Sequence, residues 1–352
     1  MSGEAAEVLK QRLVRLHEDT RRLLAVGAVL GKEFSVEVAA TLADQSVEAA
    51  TASLEQPVSL YLIWLKGDCC QFVHDQIRDS MLQSLGVTDQ QQIHLAAAHH
   101  LSTHEPDSHF EIAHHFDLGG AYADALPHAR AAAQAARSRH ALEIAEQQFR
   151  IALRGLEAIG KDPDFDLLEG LGSVLILQGR YQDAEPILIE ATKYADSDMA
   201  QAEVGLKLGE LAFKQDDKEK AVQLCEAALR QIGGQLPRGW LMPLYAVKEM
   251  GRQLLHTLFP GRFVRERTRN ATDRDRMQWR LYSRLAYGYW YIKGMIPVLY
   301  VHLRGMNLSE TCTPTAELAQ AYSEHAPAMS LIPLSHRGIA YGRRSLEIRT
   351  AL

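Results

Sequence analysis

The most constraining feature of the chain is an internal duplication between Leu168 and Leu229. Leu168, Leu171, Gly172 and Leu175 are followed by Ala184, Leu188 and Ala191. The same offsets recur 37 residues later as Gly205, Leu208, Gly209 and Ala212, then Ala221, Cys225 and Ala228. Apolar residues at three- and four-residue spacing specify amphipathic helices. A duplicated pair of such helices cannot bury its apolar faces alone, so copies must stack. The small residues mark where helices approach closely: Gly172 and Gly209 on the first helix of each hairpin, and Ala184 and Ala221 facing them from the second.

With Leu171, Ala191, Leu208 and Ala228 completing the packing positions, this spacing resembles the tetratricopeptide repeat, whose unit is close to this length. Looser copies surround it. Phe110–Phe116 and Tyr122–Ala136 form a hairpin with Ala125, Ala129 and Ala132 at the small positions, and a helix from Ala141 to Ile159 follows. Lys161-Asp162-Pro163-Asp164 then breaks the chain. After Ile232 the pattern is interrupted by Gly233-Gly234, Pro237, Gly239, Pro243, Pro260-Gly261 and an arginine-rich run from Arg262 to Arg280. Helical periodicity returns with Trp279 and Tyr282, and a last hairpin runs from Thr315 to Ala326 and from Leu334 onward. It carries no capping helix, which a solenoid normally needs, so the chain reads as a piece of a longer architecture.

The first ~90 residues differ. Asp19 or Thr20 caps a helix to Leu30, Ser35 one to Leu42, and Ser46 one that ends before Pro57. Two β-like runs, Leu60–Leu65 and Cys70–Val73, are joined by Lys66-Gly67-Asp68, and Asp75 is the expected cap of a helix to Leu85. Three helices followed by a β-wing is the order of a winged helix. The expected organisation is therefore mainly α: a winged-helix-like domain over 1–88, tetratricopeptide-like repeats over 89–232, a Pro/Gly/Arg-rich insertion over 233–276, and degenerate helical repeats over 277–352.

At 352 residues, 47% apolar and a net charge of -6, the chain reads as an ordinary globular protein with no global attraction to nucleic acid or anionic lipid. Its longest apolar run, Leu23–Leu30, is too short for a membrane span. Cysteines 69, 70, 225 and 312 form no Cys-x-x-Cys pair. A cytoplasmic protein without a membrane partner is expected.

Gly27-Ala-Val-Leu-Gly31-Lys32 imitates a phosphate loop but has three residues between its glycines and Glu33 where a magnesium-binding hydroxyl belongs, so Gly31 reads as a helix end. Histidines crowd at 94, 99, 100, 104, 109, 114 and 115, yet none has His-Glu-x-x-His spacing and Pro106 breaks the first group. Neutral imidazoles packed between helices are the better account. In the arginine run Glu266, Asp273 and Asp275 interleave with the basic residues, which favours a solvated loop over RNA contact. From Glu33 through Leu65 there is no Lys or Arg, so the third helix carries acid where a DNA reader needs base. No catalytic constellation emerges from spacing, and no metal ligand set is assigned.

A more specific resemblance lies at Phe72-Val73-His74-Asp75-Gln76-Ile77-Arg78, upstream at Leu24-Ala-Val-Gly-Ala-Val-Leu-Gly-Lys-Glu-Phe34, and downstream at His114-His115-Phe116. Glu317-Leu318-Ala319 and Tyr341-Gly342-Arg343-Arg344-Ser345-Leu346 extend it. These stretches resemble the region after the ATPase domain in bacterial AAA/STAND-class signalling proteins, which join an ATPase, a winged helix and degenerate tetratricopeptide repeats, often with kinase or cyclase modules. The resemblance implies that His74 reaches the diphosphate of a bound nucleotide, with Asp75 as helix cap. It also implies a protein or peptide partner on the concave face of the repeats. The chain has no phosphate loop, so ATP or ADP would enter only through a neighbouring ATPase domain. The expected role is a non-catalytic regulatory module, with part of an ATP-dependent multidomain kinase, or a transcriptional regulator of similar layout, as alternatives.

Overall fold

The computed structural model describes residues 13, 15–259, 261, 269–330 and 335–352. Arg262, Arg265, Glu266 and Arg267 of the arginine run, and Leu334 of the last hairpin, lie outside the described residues. The chain divides into two compact units, Met1–Pro163 and Asp164–Leu352.

The first unit opens with α1 (Glu18–Leu30), β1 (Glu33–Ser35), α2 (Val36–Leu42), α3 (Val47–Ser53), α4 (Glu55–Ser59), β2 (Ile63–Lys66) and β3 (Cys69–Phe72). The antiparallel sheet has the order β1-β3-β2, with Phe34 opposite Cys70 and Ile63 opposite Phe72. This is a winged-helix-like arrangement. Ser35 and Ser46 accept the backbone N–H groups of Val38 and Ala49, the cap bonds their sequence positions call for. Helix α1 begins two or three residues earlier than Asp19 or Thr20 would set, with His17 as its cap. Thr20 instead turns inward and donates to the carbonyl of Ser53. Pro57 does not end α3; it sits in the first turn of α4, where the missing N–H costs no hydrogen bond.

The core gathers Leu23, Leu24, Phe34, Leu54, Leu62, Ile63 and Phe72, with the Phe34 and Phe72 ring centroids 5.5 Å apart. Strand β1 was not expected, because three residues are too few to show alternation. It explains the glycine-rich stretch before it. A Cβ on Gly27 would lie 2.4 Å from the Phe34 ring, and Gly31 ends α1 at φ 157°. Helices α5 (Asp75–Ser84), α6 (Val87–His104), α7 (His109–Leu118), α8 (Tyr122–Ser138) and α9 (Leu142–Ala158) complete this unit.

The second unit is built of helical hairpins. Asp164 caps α10 (Phe165–Leu177) through the N–H of Leu167. Helices α11 (Tyr181–Tyr194), α12 (Asp198–Lys214) and α13 (Lys218–Gln231) complete the two expected copies. Their turns match as well: Gly179 at φ 77° and Asp216 at φ 70° occupy equivalent places. The stretch from 233 to 276 is less of an interruption than its glycines and prolines suggest. A 3-10 turn (Gly239–Leu241) leads into α14 (Met242–Leu258), with Pro243 in the first turn. Then follow α15 (Asp273–Ile292), α16 (Met295–Ser309), α17 (Ala316–Ser330) and α18 (Ser335–Ala351). Thr272 and Asp275 form a reciprocal capping box at the start of α15.

Candidate functional site

Two places merit a functional reading, one in each unit. In the first, β3 runs through Val73 into α5. His74 is extended (φ -137°, ψ 142°), occupies the N-cap position and makes no side-chain cap bond. Its ring is exposed and has no hydrogen-bond partner among the described residues. Asp75 is not the cap expected of it. It is the first helical residue, and its carboxylate lies 2.9 Å from Lys32 Nζ, which competes for the oxygen a cap bond would use. Arg78, one turn on, donates from Nε to the carbonyl of Ala28 at 2.8 Å and ties α5 to the end of α1. The junction thus gathers an exposed imidazole and the N–H groups of a helix start beside the Lys32–Asp75 ion pair, a combination in which the helix start favours an anion. Lys32 is the member that spacing did not reveal, because β1 brings it back beside α5.

The histidine cluster has a different character. The Nδ1 atoms of His94 and His115 lie 2.8 Å apart and buried, and His109 and His128 pair at 3.0 Å. Burial, then the neighbouring His114 and Arg78, pushes His94 down to about 4. Burial, then His94 and His114, pushes His115 down to about 3. His94 and His115 are neutral packing groups at physiological pH. His100 and His104 do share one helix face, stacked at 4.2 Å. Among the described residues no group of three or more His, Cys, Asp or Glu side chains could hold a metal ion.

In the second unit the repeat positions behave as a set. Leu171, Gly172, Ala184, Ala191, Gly209, Ala221 and Ala228 are buried, and Leu208 is half-buried. The closest side chains fall one turn beyond the alanines that spacing proposed, although the Ala221 backbone is also in reach. A Cβ on Gly172 would meet the Leu188 side chain at 2.6 Å, and one on Gly209 would meet Cys225 Sγ at 2.6 Å and the Ala221 carbonyl at 3.2 Å. Both copies thus pack glycine against the same repeat position, Leu188 in one and Cys225 in the other. This is a tetratricopeptide-like solenoid.

No family model matches the chain, and no curated protein does either. Among solved structures it is similar to a STAND signal-transduction ATPase with a tetratricopeptide repeat sensor from Pyrococcus horikoshii, at 14% identity and TM-score 0.45, over 98% of this chain. The chain spans 46% of that protein's length. BtubC from P. vanneervenii matches at 15% identity and TM-score 0.41, over 76% of this chain and 92% of that one. The apo form of the quorum sensor NprR from B. thuringiensis matches at 14% identity and TM-score 0.33, over 98% and 99%. Likeness at this level leaves function to the chain's own residues.

On the solenoid those residues form a charged ladder across the first helices of successive hairpins. Glu169 on α10 pairs with Lys207 on α12 at 2.7 Å, and Glu210 on α12 with Arg284 on α15 at 2.6 Å. Arg280 on α15 pairs with Glu317 on α17 at 2.9 Å, beside Ser283, which donates to Glu324 at 2.8 Å. Burial opposes the charge on Glu317, yet its own backbone N–H and the Arg280 guanidinium hold its carboxyl below the usual range. Partly exposed pairs of this kind add little stability. They give the first-helix face an alternating pattern of charge. Arg280 belongs to the arginine run, and the part of that run in α15 is helix.

Proposed function

We propose that this chain is a non-catalytic regulatory arm of a signal-transduction ATPase or kinase. The winged-helix-like domain reports on a nucleotide held by a neighbouring ATPase domain, and the first helices of the tetratricopeptide-like hairpins take a protein or peptide partner. The observation that carries the reading is His74: exposed, unpartnered among the described residues, and set at the N-terminus of the ten-residue α5 with Lys32 alongside. His74 donates to a phosphate oxygen, and the helix start offsets the negative charge. The glycine-rich stretch of this chain ends a helix and leads into a strand, so the nucleotide's magnesium and γ-phosphate are left to the neighbour's own loop. In the same domain, α3 exposes Glu48, and no Lys or Arg lies between Glu33 and Leu65 to answer a DNA backbone.

Exchange of the nucleotide would shift the docked winged helix between two positions and so bias the output of the parent protein. The reading frame around the gene tests this. A Gly-x-x-x-x-Gly-Lys-Ser/Thr loop encoded upstream in the same frame is expected; a downstream basic helix-turn-helix with no such loop would contradict it.

A further inference from the structure

Helix α14 is mounted with its polar side inward. Glu249, 1% exposed, accepts from Arg304 at 3.0 Å and from Asn307 at 2.9 Å. Gln253 donates to the Tyr341 hydroxyl at 2.9 Å, and His256 lies 2.6 Å from Glu310. These bonds fix the rotation of the helix, because turning it would strand buried charge. The outward side is apolar along its length: Trp240 is 76% exposed, Leu244 66%, Val247 64%, Leu254 54% and Leu258 60%. Leu244, Val247, Leu254 and Leu258, spaced by three, seven and four residues, fall in one row along α14, and Trp240 precedes them in the 3-10 turn. Met250 and Leu255, also exposed, widen that row to about half of the helix circumference. The result is a convex strip about 25 Å long, too broad for a coiled-coil seam and without the walls of a peptide groove.

Charge decides what covers it. Between Ile232 and Phe259 the only carboxylate is the buried Glu249, whereas Arg238, Lys248 and Arg252 lie in the same span of a chain whose net charge is -6. Arg238 and Lys248 are exposed and form no ion pair among the described residues. A second copy would set this positive rim against itself with no carboxylate to answer it. We propose that this face docks the chain onto an anionic lipid surface, with α14 lying in the membrane plane and Trp240 and Phe259 at the two ends of its apolar strip. An aromatic and aliphatic face bordered by basic residues is the chemistry of an interfacial helix. Among the described residues no helix is long and apolar enough to cross a membrane, so the contact is peripheral. The expectation of no membrane partner rests on the lack of a long apolar run, which a helix lying in the interface does not need.

The test is flotation of the full chain with vesicles of phosphatidylcholine alone and of an equal mixture of phosphatidylcholine and phosphatidylglycerol. The protein should float with the mixture and not with phosphatidylcholine alone, and added salt should release it. Lys248→Ala should weaken binding about fivefold, the worth of one basic residue near such a surface. Leu244→Gln combined with Leu254→Gln should abolish it while leaving the circular dichroism spectrum and melting temperature unchanged, since both leucines are exposed. Flotation with both vesicles alike, or with neither, overturns the proposal. So does a dimer in light scattering that the double variant converts to monomer without any vesicle binding, which would assign the face to self-association.

Discussion

The Nδ1 atoms of His94 and His115 face each other across 2.8 Å in the core of the first unit, which obliges one ring to donate and the other to accept. A second proton would set two N–H groups against each other in a buried site. In the unfolded chain both rings take a proton near 6.5; in the fold, burial holds them at about 4 and about 3. The unfolded form therefore binds more protons below 6.5. The stabilisation is full above that value and is lost as pH falls toward the folded values. Thermal melting followed downward from neutral pH should show a loss on the order of 1 kcal/mol per ring by about pH 5.5. His115→Leu should flatten that slope; an unchanged slope would remove the pair from the account.

The glycines of the second unit separate close approach from mere helix weakening. Gly209→Ala drives a methyl group against Cys225 Sγ and the Ala221 carbonyl and should cost about 1 kcal/mol or more, despite the better helix propensity of alanine. Gly251, inside α14, has nothing within 4 Å of the same position, so Gly251→Ala should stabilise by about 0.5–1 kcal/mol. Chemical denaturation of the two variants checks the contrast. Equal shifts would contradict the packing.

Ala184→Leu and Ala221→Leu overfill two fully enclosed hairpin positions and should each cost about 1–3 kcal/mol. Unchanged melting would show that the hairpins do not pack in this register.

The buried network under α14 makes a sharper demand. Arg304→Ala leaves Glu249 with the neutral Asn307 amide and, as its remaining cation among the described residues, the more distant Arg252, 3.7 Å away, and should destabilise by about 3–5 kcal/mol. The paired change Arg304→Met with Glu249→Gln should recover a large part of that loss. A denaturant melt of the two variants decides, and a recovery of nothing would show that packing, not charge, is at stake.

Much of this architecture was legible from residue spacing because repeated helices write their contacts as period. The 37-residue offset and the serine caps at 35 and 46 act locally, and local rules reach them. What escaped depends on distant partners. Strand β1 is three residues long and exists because β3 receives it; Lys32 meets Asp75 only through that pairing. Helix α14 hid behind Gly239 and Pro243, and its inverted face reads as ordinary amphipathicity until Arg304 and Asn307 show which side is inside. The nearest side chains over the glycines lie one turn from the expected alanines because side chains on a facing helix reach back along its axis, so Leu188 and Cys225 come closest, with the Ala221 carbonyl also over Gly209.

The regulatory reading turns on one imidazole. The direct measurement is ADP affinity, by calorimetry, of the ATPase domain joined to this chain, with His74 intact and with His74→Ala. The account predicts that the substitution weakens ADP binding about tenfold, the size of one charge-assisted hydrogen bond, while the melting temperature stays unchanged because the ring is exposed. Equal affinity in the two proteins would contradict it.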